Sequence, residues 1–391
     1  MYNTHAIDTV LRSFVEHTVP GCACVVTHKN EIVYEGYHGL ADVQAGIPVG
    51  QETVYRLFSM TKVAIYTACM ILFEQGKFLL DDPLYEFFPE YRQMNKCVMT
   101  EDGPRIVPAK QPILIRHIMS MTCGLPYGVL HNEPGEESIT QREMNSVYRK
   151  LHDEKSFTLR EQIRAVAEVP LAFEPGTRWM YGFGSELAAG LLEILTGLYI
   201  EDALKEILFD PLDMKNTCMH YFGSIQQRLS PMYLQDKQGR IQQVAQIATD
   251  LSNMPDKRNT CGCPRLLTTA KDFSALSQML ACGGIFHGKR IMGRKTIDLM
   301  RANQLNELQL SDFAHGPVTG YGYGLGVRTL INPVAANSNS SVGEFGWVGG
   351  SGTWVAIDPS EQFSVVYMHQ MLPCMEEYHH LRVRAAAFAG L

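Results

Sequence analysis

An α+β fold is predicted for this chain, with an antiparallel sheet drawn from both ends of the sequence and flanked by helices, plus a mainly helical lobe. Three observations predict it. β-rich runs separated by turn residues lie near the amino terminus and again after Gly320, apolar residues recur at helical spacing through most of Lys77 to Met254, and Gly and Pro mark the changes of pattern. Strands at both ends with helices between them mean that the two termini build one sheet, and the cleft between the lobes is the default place for chemistry. The expected division is 1–76 with 255–391 for the α/β lobe and 77–254 for the helical lobe, within one unit spanning 1–391.

The elements follow in order. Cys22 to Thr27 and Glu31 to Tyr37 are strand-like runs joined by His28-Lys29-Asn30, which predicts a hairpin. From Met60 to Gln75 the spacing turns helical, with Val63, Tyr66, Met70 and Phe73 along one stripe and Gly76 as the stop. Helices are expected over Pro112 to Met121, Leu159 to Glu168, Glu186 to Leu195 and Ile200 to Leu208, then over Thr268 to Ala281, capped by Thr268 or Thr269, and Ile297 to Ala302. Strands return at Tyr321 to Leu330, Gly343 to Trp347, Thr353 to Ile357 and Phe363 to Met368, the last two separated by an Asp358-Pro359 turn, and a final helix from Glu376 to Phe388 covers them.

Composition narrows the class of function. With 391 residues, 46% hydrophobic and 19% charged, the chain can bury a large core. Its formal charge of -7 is not gathered into runs, which gives no footprint for nucleic acid or a membrane surface and suits a small, roughly neutral partner. Met1 to Val19 lacks the pattern of a signal peptide and no apolar run is long enough to span a bilayer, so a cytoplasmic location with reduced thiols is expected. Cys22-Ala23-Cys24 and Cys261-Gly262-Cys263 have no partner pair or histidines at zinc spacing, and the thirteen histidines form no metal motif, so neither metal nor cofactor is expected. Gly320 to Gly326 is glycine-rich but lies among strands and opens no helix, which weighs against dinucleotide binding.

Ser59-Met60-Thr61-Lys62 is the one S-x-x-K in the chain, and on a helix that spacing puts the hydroxyl and the amine on one face. A lysine placed so takes the serine's proton once burial or nearby positive charge lowers its basicity, and a helix N-terminus favours the developing negative charge. The bland alternative is a helix-capping serine followed by a solvated lysine. No G-x-S-x-G elbow occurs, which weighs against an α/β-hydrolase triad.

The surroundings decide between these. Thr53 to Lys62, the Leu79-Leu80-Asp81-Asp82-Pro83-Leu84 loop, Ile115 to Leu125 and Pro211-Leu212-Asp213-Met214 resemble, in order and spacing, segments of the penicillin-recognising serine hydrolases: class C β-lactamases, D,D-peptidases and family VIII carboxylesterases. The resemblance implies the β-lactamase/transpeptidase-like fold and Ser59 and Lys62 as nucleophile and base. Glu174 to Tyr181 is similar to the segment ending in the family's Y-x-N motif, which makes Tyr181 the candidate catalytic phenol, with Phe183 in the asparagine's place as a substrate-binding candidate. The third motif, K-T-G or H-x-G, is replaced by Trp347-Val348-Gly349, similar to the W-x-G of family VIII esterases. The resemblance implies substrate contacts from Trp347 and Gly349 and an oxyanion hole from the backbone N–H groups of Ser59 and Gly350.

A tryptophan in place of a lysine removes the cation that would pair with the carboxylate of a penicillin or peptide substrate. The expectation is therefore a carboxylesterase acting on small uncharged esters through an acyl-enzyme. A β-lactamase or D-amino-acid peptidase with an altered pocket, or an acyltransferase, is the alternative, and a non-catalytic ligand-binding descendant the alternative of another class. The segment from Gly128 to Ser146 is expected to shape the acyl site. Tyr181 and Trp347 also have plain readings as core aromatics. Oligomeric state is not legible.

Overall fold

The computed structural model describes residues 2–128, 137–153, 157–244, 247, 250, 252–256 and 265–391. Its main element is an eight-stranded sheet. In spatial order the strands are Tyr321–Tyr323, Arg328–Leu330, Phe345–Val348, Trp354–Asp358, Phe363–Met368, Gly21–His28, Glu31–Asp42 and Ile47–Pro48, and every neighbouring pair is antiparallel. The ends of the chain meet at its centre, where Ala23 pairs with Met368 and Val25 with Val366.

Both faces of the central strands are buried, and the period-2 alternation of side chains separates two cores. Ala23, Val25, Val355, Ile357, Val366 and Met368 point into a large core shared with the central helices. Cys22, Cys24, Val26, Trp354, Ala356, Val365 and Tyr367 point into a smaller one. The smaller core is closed by the helices His5–His17 and Glu376–Phe388, which pack on each other. The first of these was not expected, although Ile7, Leu11 and Phe14 give it a buried stripe at helical spacing.

The opposite face carries the helix Ala270–Ala281, capped by Thr269, whose side chain accepts from the Asp272 amide. Ser277 of this helix is 2.8 Å from Ser364 Oγ, which is 2.7 Å from Thr27 Oγ1, a short polar seam within an apolar interface. Beneath lies the helix Thr61–Glu74, buried from Thr61 to Leu72 on all sides rather than along one stripe. It packs against Gly184–Thr196, which in turn meets Ile115–Met119, Leu159–Val166 and Ile200–Leu204.

Several expected elements differ in detail. Tyr321 to Leu330 is two strands, because the chain turns at Gly324, whose amide bonds the Val327 carbonyl. Ile200 to Leu208 is an α-helix as far as Leu204 and then a π-helical turn, Lys205–Phe209. The central stretch also holds two hairpins: Asn95–Thr100 with Gly103–Pro108, and Met232–Gln235 with Ile241–Val244, the latter extended in parallel by Met371–Leu372. Among the described residues no helix is long and apolar enough to cross a membrane, and no group of three or more His, Cys, Asp or Glu side chains is arranged to hold a metal ion. The eight described cysteines are free thiols, and Cys261 and Cys263 lie outside the described residues.

Candidate active site

Ser59 sits in a 3₁₀ turn, Phe58–Met60, that runs straight into the helix Thr61–Glu74. The approach is held on both sides. Val54–Arg56 pairs with Leu267–Thr269, and the buried Arg56 guanidinium binds Asp250 Oδ1 and the Ser230 carbonyl, each at 2.6 Å. The chain then forces Phe58 to a φ of 45°, a left-handed conformation costing on the order of 1 kcal/mol or more in a bulky residue, so the turn is over-determined by its anchors.

Lys62 emerges one helical turn on and is fully buried, which removes the solvated-lysine reading. Its Nζ lies 3.4 Å from Ser59 Oγ. Tyr181 brings its hydroxyl to 2.7 Å from the same oxygen, donating to it, and its ring lies 4.8 Å from the Lys62 amine. Hydroxyl, amine and phenol thus converge on one point although the phenol is 122 residues away in sequence.

Tyr181 is carried on a stretch anchored at both ends. Upstream, Glu174 pairs with Lys96 at 2.5 Å and accepts the amides of Lys110 and Gln111, and Arg178 and the Trp179 amide both bind Asp312. Downstream, Gly182 bridges to Pro126; a Cβ there would lie 2.0 Å from the Leu125 carbonyl oxygen, so only glycine permits the approach. That contact sets Tyr127 edge-on to Tyr181, ring centroids 5.5 Å apart, with the Lys62 amine 5.3 Å from the Tyr127 ring. Sequence reasoning missed Tyr127, which stands one residue before the stretch expected to shape the acyl site. Of that stretch, 129–136 lie outside the described residues, and Tyr148 is near enough that a Cβ on Gly128 would touch its ring.

The strand Phe345–Val348 forms the facing wall. Trp347 stacks on Tyr181 at 5.7 Å between centroids and meets Tyr323 edge-on at 5.3 Å, and Trp179 also stacks with Tyr181, at 6.4 Å. The site is therefore walled by aromatic faces. Gly349 lies against the Ser59 turn: a Cβ on it would be 2.2 Å from the Leu57 carbonyl oxygen, to which Thr353 Oγ1 also donates at 3.2 Å. Gly350, by contrast, faces open space. Phe183 has no exposed surface and lies in the main core at the start of Gly184–Thr196, so its ring packs the helix instead of lining an open cleft.

One ionisable group was not anticipated. Glu186, buried in the first turn of that helix, binds Ser185 Oγ at 2.9 Å, and Ser185 Oγ lies 2.9 Å from the Tyr127 hydroxyl. Its burial pushes the carboxyl up to about 7, against the opposing pull of the Lys62 charge. In sequence it is an ordinary acidic residue near a helix start.

A family model described as Beta-lactamase matches residues 7–388. The chain belongs to the β-lactamase family. Its architecture is the β-lactamase/transpeptidase-like fold, as expected from the motifs: it superposes on EstCE1, described as a hydrolase with promiscuous acyltransferase activity, with a TM-score of 0.82 at 23% identity, covering 98% of each chain. Among family relatives, Protein Rv1367c of Mycobacterium tuberculosis is 27% identical over 365 residues, 90% of this chain and 86% of that protein. Esterase EstB of Burkholderia gladioli is 30% identical over 215 residues, 54% of this chain and 48% of EstB.

Proposed function

We propose that the chain is a serine hydrolase that works through an acyl-enzyme, a carboxylesterase for small uncharged esters. The observation that carries this is the Ser59 hydroxyl held 2.7 Å from the Tyr181 phenol and 3.4 Å from the buried Lys62 amine. Ser59 Oγ attacks the ester carbonyl carbon while its proton passes to the neutral Lys62 amine, directly or through the Tyr181 phenol, which hands its own proton on to the amine. The backbone N–H groups of Ser59 and Gly350 hold the oxyanion of the tetrahedral intermediate. As the carbon–oxygen bond to the alcohol breaks, the pair returns the proton to the departing oxygen. Water then repeats the sequence on the acyl-enzyme, releasing the acid and restoring Ser59.

Esters are favoured over β-lactams because the facing wall offers the ring of Trp347 where the penicillin-recognising pattern has a cation, so a substrate carboxylate finds no partner there. The esterase relative EstB supports the same choice. EstCE1's acyltransferase activity supports an alcohol replacing water as acceptor of the acyl group, a branch of the same intermediate.

The test is mass spectrometry after a fluorophosphonate probe, with p-nitrophenyl butyrate and nitrocefin assayed side by side. One adduct on Ser59, lost in Ser59→Ala together with ester turnover, is expected. An unlabelled protein, or a Ser59→Ala variant with full turnover, refutes the proposal, and nitrocefin turnover well above ester turnover moves the substrate class to β-lactams.

A further inference from the structure

The chemistry above uses Ser59, Lys62 and Tyr181 and leaves a buried carboxyl beside them without a task. Glu186 is 1% exposed. From its Oε2 a continuous line of contacts leads back to the amine: 2.9 Å to Ser185 Oγ, 2.9 Å on to the Tyr127 hydroxyl, and then across the Tyr127 ring to Lys62 Nζ at 5.3 Å. Burying a lysine ammonium costs several kcal/mol unless opposite charge or hydrogen bonds offset it, and a carboxyl buried alone resists ionising for the same reason. Placed together, each lowers the cost of the other's charge.

The groups around Glu186 leave this pairing as the electrostatic feature of the helix start. From Thr61–Glu74 come Lys62, which supplies the positive charge opposing the burial of Glu186, and Tyr66, whose buried phenol is pushed far up and donates to the Ile118 carbonyl at 3.1 Å. From the segment before Tyr127 comes Cys123, its thiol pushed up to about 11 by burial and so neutral. The other packed helices turn their charges elsewhere. His117 of Ile115–Met119 accepts the Leu114 amide, Arg160 of Leu159–Val166 pairs with Glu193, and Glu201 of Ile200–Leu204 pairs with His220.

We propose that Glu186 is a positioning residue of this site: through Ser185 and Tyr127 it fixes the Lys62 amine beside the Ser59 hydroxyl and balances the charge that the amine gains when it takes up the serine's proton. The inference rests on the hydrolase reading above. Turnover then follows the ionisation of Glu186. Protonating the carboxyl as the pH falls through neutrality leaves the amine's charge unbalanced and frees the Ser185–Tyr127 link, so activity falls on the acid side.

The test is the pH profile of kcat and kcat/KM for p-nitrophenyl butyrate in Glu186→Gln, which keeps shape and an acceptor oxygen but removes the charge. At pH 8 kcat should fall by at least about tenfold, the ratio that one pK unit in the amine–phenol pair represents. KM should change little, the acid limb near neutrality should disappear, and Glu186→Asp should restore part of both. A wild-type kcat with an unchanged acid limb in Glu186→Gln overturns the proposal. If that variant does not fold by circular dichroism, Tyr127→Phe decides, since it keeps the ring beside Lys62 and removes the hydroxyl that reaches Ser185. A displaced acid limb supports the proposal and a wild-type profile overturns it. Fluorophosphonate labelling of Ser59 in the wild-type protein separates the two levels: with Ser59 labelled and both profiles unchanged, the Glu186 inference alone fails, whereas an unlabelled Ser59 removes the hydrolase reading and this inference with it.

Discussion

Adding one methyl group at Gly349 tests how tightly the sheet holds Ser59. The new Cβ would lie 2.2 Å from the Leu57 carbonyl oxygen and 2.1 Å from Thr353 Oγ1, and ordinary contact requires the backbones to part by roughly 1 Å. Leu57 cannot retreat freely: its amide is bonded to the Leu266 carbonyl at 2.9 Å, and Arg56 beside it is anchored to Asp250. Overpacking of this kind costs about 1–3 kcal/mol in stability. The larger effect falls on catalysis, because Leu57 precedes Ser59 by two residues and a 1 Å misplacement of reacting groups costs on the order of 10²-fold in rate. Gly349→Ala should therefore lower kcat/KM for p-nitrophenyl butyrate, and the rate of fluorophosphonate labelling, by about that factor. Gly50→Ala is the control. Its Cβ meets nothing within 4 Å and the residue is no part of the site, so labelling should stay near the wild-type rate. A Gly349→Ala protein that labels at the wild-type rate would refute the idea that contact between strand and turn positions Ser59.

Other expectations follow from the same geometry. Tyr181→Phe removes the 2.7 Å bond to Ser59 Oγ and should lower kcat by about 10²–10⁴ with a modest change in KM, measured by steady-state kinetics; an undiminished kcat would exclude the phenol from proton transfer. Acid should destabilise the fold before ordinary carboxylates titrate. Burial depresses His117 and His379 to about 4, and His369 and His380 well below their usual 6.5, so the unfolded chain binds more protons once the pH drops under 6.5. Stability contributed by the neutral rings is complete above that value and is lost at about 1.4 kcal/mol per pH unit for each histidine. Glu186, raised to about 7 from 4.5, acts the other way between those values, and Glu193 and Asp272 are raised by burial in the same direction, but these are three groups against four histidines. The urea midpoint should therefore fall steeply between pH 6.5 and 5, and a flat midpoint would show that these histidines are not buried neutral.

The site was legible in the sequence where chemistry imposes spacing. Ser59 and Lys62 are fixed by one helical turn, and two of the segments that carried the family resemblance prove to touch: the Leu80 and Asp82 carbonyls accept the amides of Arg116 and Ile115, and Arg116 pairs with Asp81 at 2.5 Å. Tyr127 and Glu186 were not legible, because nothing local marks them. The first reaches the site through a backbone bridge between Pro126 and Gly182, and the second through burial of a helix start that looks solvent-facing by composition. Phe183 was assigned to substrate by motif position, yet a large apolar ring at the first turn of a buried helix finds its neighbours in the core. The hairpin Asn95–Pro108 escaped because most of its residues are partly or wholly exposed, so no alternation of apolar and polar side chains records it.

The strand Gly21–His28 works as a partition wall. Cys24 faces the compartment closed by the terminal helices, whereas Val25, its immediate neighbour, faces the compartment that holds the helix of Lys62. Trimming a side chain at an even position from 22 to 26 thus loosens the closure of the chain ends and leaves the chemistry's foundation in place, while the same trimming at 23 or 25 reaches the ground on which the amine stands. Adjacent residues thus answer to opposite halves of the molecule.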